Sequence, residues 1–226
     1  MGRLLRVSIG NQLYHVINRA NARLSIFFGV KDYVLFEKIL EEGQRRFNMR
    51  IIAYCLMPNH FHLVLYPHEE GDLQKFMQWV TLTHTQQWHV QNKTIGTGHL
   101  YQGRYKSFLI QENDRHLLAV IRYVERNALR AHLVRKAEHW QFSSLNRRLS
   151  KDPIKLKLLS EWPIQVPSNY VEFVNSAMNR NEEDAIRYSV NRGKPFGTES
   201  WSDMIIKEHG LEMTIRKEGR PKKNGT

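Results

Sequence analysis

The sequence predicts an α+β fold, a ferredoxin-like (RRM-like) antiparallel sheet with helices packed on it. Three observations carry this. Four short stretches, "LYHVIN", "RIIAYCLM", "HFHLVLY" and "YKSFLIQ", are rich in β-formers. Between and after them, three longer stretches repeat apolar residues at helical spacing. The resulting order, β-α-β-β-α-β-α, is the split pattern of that sheet with one further helix. RNA-binding domains and nucleases share such a sheet, so the fold alone decides no function.

The elements follow in chain order. Leu13 to Asn18 alternates as a strand, and "NRANAR" after it reads as a loop. From Asp32, a plausible N-cap, Leu35, Phe36, Ile39, Leu40 and Phe47 mark a first helix. "RIIAYCLM" and "HFHLVLY", separated by Pro58-Asn59, form a hairpin that places the histidines on an interior strand. Gly71-Asp72 opens a second helix whose apolar stripe runs from Leu73 to about Val90; its His84 and His89 are read as surface or edge residues. The glycine-rich "KTIGTGHLYQGR" is a loop leading into the fourth strand. Asn113 or Asp114 then caps a third helix through "RHLLAVIRYVERNALRAHLV".

After about Ser160 the texture changes. Prolines and loop residues dominate until a short helix between Thr198 and Gly210, and the basic end "TIRKEGRPKKNGT" is expected to be disordered. The sequence therefore divides into a main domain over residues 1–160 and an extension over residues 161–226.

Composition narrows the partners. The 226 residues carry 34 Lys and Arg against 22 Asp and Glu, a net charge of +12, which favours a polyanion such as nucleic acid. No apolar run reaches the roughly 18 residues of a membrane span, and the N-terminus has no signal-peptide stretch. A single cysteine, Cys55, makes no internal disulfide and suits a reducing cytoplasm; it reads as a small core residue.

The chemistry centres on "MPNHFHLVL". Residues two apart on a strand share a face, so His60 and His62 project together while Phe61, Leu63 and Leu65 face the other way. The spacing alone is weak, and the third helix supplies the context. Tyr123 and Asn127, four residues apart, share one face there, with Arg115, Arg122, Arg126 and Arg130 around them. Two neutral imidazoles and a neutral amide would hold Mn²⁺, Mg²⁺ or Zn²⁺ without cancelling its charge. A tyrosine beside a metal-polarised phosphate could displace a 3′-OH and keep the bond as a phosphotyrosine. Two other readings stay open: a nucleic-acid-binding module without catalysis, and a hydrolase using water with Tyr123 merely structural.

"MPNHFHLV", "GHLYQGRYKS" and "RYVERNALRAHLV" together resemble the Y1 tyrosine transposases of the IS200/IS605 group, and among them the bacterial REP-associated tyrosine transposases. "HFHLVL" matches their HUH motif, and the likeness runs from about Leu13 to Leu145, with "RGKPFGTESW" and "GRPKK" similar to that subgroup's tail. The resemblance implies an HUH endonuclease fold over residues 1–160. It makes Tyr123 the nucleophile and His60, His62 and Asn127 the ligands of Mg²⁺ or Mn²⁺, with Asn127 where insertion-sequence relatives usually have Gln. It further implies cleavage of single-stranded DNA, to a 5′-phosphotyrosine and a free 3′-OH, beside the hairpins of repetitive extragenic palindromes. The protein would act as a monomer or homodimer. Relatives often read "RNPxRA", whereas Ala128 stands in the proline position here, which would lengthen the third helix. For DNA contacts the candidates are Arg19, Arg104 and Lys106, then Arg126 and Arg130, with Tyr101 and Tyr105 as bases' stacking partners, Tyr105 reading alternatively as a core residue.

Overall fold

In the computed structural model, which describes residues 7–150 and 152–216, the chain runs β1 (Leu13–Arg19), α1 (Val30–Arg46), β2 (Arg50–Met57), β3 (His60–Tyr66), α2 (Asp72–Gln91), β4 (Lys106–Ile110) and α3 (Asp114–Glu125). This is the predicted order. The strands form one antiparallel sheet, β2-β3-β1-β4, with the histidine strand β3 in the interior.

The period-2 alternation of the strands builds two cores. Tyr14, Val16, Phe61, Leu63 and Leu65 face α1 and α2, where Phe36, Leu40, Phe76 and Val80 meet them. Leu13, Val64, Phe108 and Ile110 face α3, against Val120, Ile121 and Val124. A bulge between Ile51 and Ala53 resets β2 so that Cys55 lies on the α3 side, fully buried.

Two expectations shift at the helix ends, and a third is narrowed to one of its alternatives. Asp32 does not cap α1 from outside, because the helix begins at Val30 and Asp32 lies in its first turn. Its carboxylate reaches back to accept from the N–H of Phe28 and Gly29 at 2.7 and 3.1 Å. Asn113 is the cap of α3, accepting from His116 N–H at 2.9 Å. The third helix is not lengthened by Ala128: α3 ends at Glu125 and one further turn, α4 (Asn127–Arg130), follows. The cause is Asn127, whose amide donates to the Tyr123 and Val124 carbonyls at 2.8 and 3.2 Å. A side chain thus takes acceptors that a continuing helix would give to its own N–H groups.

Beyond α4 lie α5 (Ser144–Leu149), α6 (Pro153–Leu156), α7 (Tyr170–Asn175), α8 (Arg180–Arg192) and α9 (Glu199–Glu208). The sequence predicted α9, which Thr198 caps, but not α7 or α8. The extension is woven into the rest. Tyr170, Val174 and Ile186 join the core beneath α3, and Ile205, Ile206 and Leu211 join the other. The basic "GRPKK" falls outside the described residues.

Both outer strands are covered. On β2, Leu56 N–H donates to the Phe142 carbonyl, while the Ile51 carbonyl accepts from Ser160 and the Ile52 carbonyl from Trp162 and Arg148. On β4, the Phe196 N–H donates to Leu109 and the Gln111 N–H donates to Phe196.

Candidate active site

His60 and His62 open β3 and, two residues apart, present their rings on the α3 side, 5.1 Å between ring centres. Their nitrogens are sorted by neighbours. His60 Nδ1 lies 2.6 Å from Asn59 Oδ1, and Asn59 Nδ2 donates to the Arg23 carbonyl at 3.2 Å, which fixes the amide's orientation. A carbonyl oxygen only accepts, so His60 carries its proton on Nδ1 and keeps the Nε2 lone pair. His62 Nδ1 lies 2.8 Å from Nε2 of His15, a fully buried β1 residue.

Burial keeps these rings neutral. His60 is lowered to about 3, chiefly by desolvation with help from the nearby Arg19 and Arg130 charges. His62 is pushed well below the ordinary imidazole range by the same burial and by His15 and His60. Neutral rings with a free lone pair suit a divalent cation.

Tyr123 approaches from α3. Its ring meets His62 edge-on at 5.9 Å between centres and His15 at 6.3 Å. Only 6% of the residue is exposed. One turn on, Asn127 is buried, and its Oδ1 accepts from Arg130 Nη2 at 2.7 Å. A carboxamide oxygen has a second lone pair, so this bond does not exhaust it. Among the described residues no three His, Cys, Asp or Glu side chains gather as a metal cluster. The donor set fits a hard divalent ion with water completing the shell, and lacks the ligands of a closed zinc site.

The predicted DNA-contact residues separate into two groups. Arg19, Arg104 and Lys106 line one cavity of about 320 Å³ beside β1 and the loop before β4. Arg19 stands opposite His60 in the β1–β3 register, which puts this basic cavity next to the histidines. Arg126 is half-buried at the α3–α4 junction. Arg130 is paired, donating to Glu183 Oε1 on α8 at 2.9 Å as well as to Asn127.

Base stacking by Tyr101 and a surface position for His84 do not hold, while the core alternative for Tyr105 does. Tyr101 and Tyr105 are buried in the core facing α1 and α2, so neither offers an open face to a base. His84 is also interior, with Nδ1 2.6 Å from the Tyr101 hydroxyl, because the loop folds back over α2. The residue the sequence reading missed is His15. Its signal was a histidine at an apolar slot of an alternating strand, between Leu13 and Ile17 on one face.

No helix among the described residues is long and apolar enough to cross a membrane. No curated protein matches the chain. Among solved structures, the fold is similar to a REP-associated tyrosine transposase bound to a REP hairpin, at 18% identity and a TM-score of 0.56, covering 69% of this chain and 90% of that one. It also aligns with a Deinococcus radiodurans R1 protein described as a transposase, at 15% identity and a TM-score of 0.39, over 59% of this chain and 91% of the other. The family model for IS200-like transposases matches residues 8–127, just over half of the 226 residues. With the histidine pair, the tyrosine and Asn127 all inside the matched stretch, the chain belongs to the IS200-like transposase family and is a transposase of the Y1 type.

Proposed function

We propose that the protein is a metal-dependent single-strand DNA transesterase that cleaves and rejoins DNA beside REP-type hairpins, with Tyr123 as its nucleophile. The observation that carries this is the edge-on approach of Tyr123 to His62, 5.9 Å between ring centres, within one chain. A bound Mg²⁺ or Mn²⁺, held by His60, His62 and Asn127, would supply Lewis-acid polarisation of the scissile phosphate.

The protein's own groups do the rest. The Tyr123 oxygen attacks phosphorus, the P–O3′ bond breaks, and the departing 3′-oxygen takes up the proton the phenol gives up. The 5′-phosphate remains on Tyr123. Attack by a DNA 3′-OH reverses the step, because phenolate leaves more readily than an alkoxide, and no external energy source is consumed. Arg19, Arg104 and Lys106 around their shared cavity would contact the DNA backbone, joined by Arg126 and by Arg130, whose guanidinium lies over the Tyr123 ring. The hairpin held by the structurally similar transposase supports a REP-like hairpin as substrate here. A buried, unpaired Cys55 suits a bacterial cytoplasm as the place of action.

Incubation with labelled hairpin DNA and Mn²⁺ tests this on a denaturing gel. The expected result is a covalent protein–DNA adduct that Tyr123→Phe abolishes. A shift seen only on native gels would leave a binding module, and cut DNA without an adduct would leave a hydrolase.

A further inference from the structure

We infer that His15 is the positioning residue for His62: it accepts the Nδ1 proton of His62 and so presents the Nε2 lone pair of that ring to the metal. The inference rests on the metal-dependent reading above and adds a residue that reading does not contain.

The geometry is specific. His15 Nε2 and His62 Nδ1 are 2.8 Å apart, both residues are almost wholly buried, and they sit diagonally across the β1–β3 ladder, with His62 opposite Ile17 and His15 opposite Val64. A neutral imidazole has one donor and one acceptor nitrogen. If His62 binds a cation through Nε2, its proton must be on Nδ1, and the group facing that proton must accept. His15 Nε2 is that group. Its own proton then lies on Nδ1, an atom that is buried and has no hydrogen-bond partner.

That orphaned nitrogen is the independent observation. A buried polar atom without a partner is uncommon and costly, so a histidine is kept here at a cost that its other nitrogen must offset. His15 lies tilted against Phe108 at 4.8 Å between centres and meets Tyr123 edge-on at 6.3 Å, aromatic surroundings that, among the described residues, give its ring no polar partner other than His62. A histidine is therefore explained by what its Nε2 does for His62. His60 shows the same device with a different acceptor, Asn59 Oδ1. The two histidines of the motif are thus each locked by a neighbour on Nδ1, one from the turn and one from the adjacent strand.

The test is a Mn²⁺ titration read by electron paramagnetic resonance, without DNA, on wild type, His62→Ala, His15→Phe and His15→Gln. Gln can place its amide oxygen where Nε2 stands; Phe cannot accept. His15→Phe is expected to weaken Mn²⁺ binding by roughly 10- to 100-fold, the usual effect of losing a ligand's hydrogen-bond partner. His15→Gln is expected to recover most of it, which a purely space-filling role would not produce. Tight binding by His15→Phe, or Gln no better than Phe, would overturn the role of His15 while leaving the metal reading intact. A wild type that binds no Mn²⁺, or binds it unchanged in His62→Ala, would overturn the metal reading and this role with it. Should His15→Phe fail to fold, two-bond ¹H–¹⁵N spectra of wild type with Mg²⁺ decide instead: a proton on Nδ1 of both His62 and His15 supports the assignment, and one on His62 Nε2 refutes it.

Discussion

The guanidinium of Arg130 lies over the ring of Tyr123, 4.9 Å from its centre. The same group donates to Asn127 Oδ1 and to Glu183 Oε1, so one side chain joins the proposed nucleophile, the third candidate ligand and the extension. Glu183 is held below the usual carboxylate range, first by that Arg130 hydrogen bond.

Arg130→Ala should therefore slow single-turnover nicking. A charge-assisted hydrogen bond contributes about 1.5–3 kcal/mol, which corresponds to roughly a 10- to 160-fold drop. Because Asn127 keeps its two backbone acceptors, the fold should survive, and Arg130→Lys should restore part of the rate. Nicking by Arg130→Ala at the wild-type rate would show that Asn127 needs no such orientation.

The contact between Tyr123 and His62 lies within one chain. Mixing Tyr123→Phe with His62→Ala should accordingly leave nicking at background. Recovery of activity in the mixture would mean that two copies exchange their catalytic helices.

Burial lowers His84 to about 3, against an ordinary value near 6.5. Above pH 6.5 neither folded nor unfolded chain protonates this ring, and it contributes no pH dependence. As the pH falls below 6.5 the unfolded chain takes up a proton that the folded one refuses, so stability declines down to about pH 3. Between pH 6.5 and 5 this ring alone should cost about 1.5 kcal/mol. Urea unfolding of wild type and His84→Asn at both pH values should show that much extra loss in wild type. Parallel curves would mean that His84 takes up a proton in the folded state.

Two buried polar residues of α3, Arg122 and Glu125, each find a partner beyond residue 160. Arg122 donates to the Ser176 and Ala177 carbonyls, and the buried Glu125, raised by desolvation, accepts from Tyr170 and Ser144 at 2.5 Å each. Tyr170→Phe should lower stability by about 1–3 kcal/mol, measured by chemical denaturation. Truncation at Ser160 should abolish the cooperative unfolding transition, since it strips apolar cover from α3 as well as these bonds. A fragment over residues 1–160 that melts cooperatively would restore the simple division of the chain at that point.

The strands and α1 to α3 were legible because their apolar periods are strong, and the HxH spacing required both imidazoles on one face. What was not legible was long-range. No local pattern tells that Arg130 meets Glu183 53 residues later, or that Tyr101 buries its hydroxyl against His84. α8 escaped notice because it buries little beyond Ile186 and Ser189, so its stripe is faint. His15 was visible as a letter but gained meaning only from the strand pairing that brings it beside His62.

The hydrogen bonds that sheathe β2 and β4 also limit how two molecules could associate. Neither rim offers a free row of amides and carbonyls to a second copy at Ile51, Ile52 and Leu56 or at Leu109 and Gln111. Fusing two sheets into one continuous ribbon would first require peeling off Phe142, Trp162 and Phe196. Any pairing of these transposase molecules is thereby directed toward helices and loops, with the sheet kept as a private scaffold.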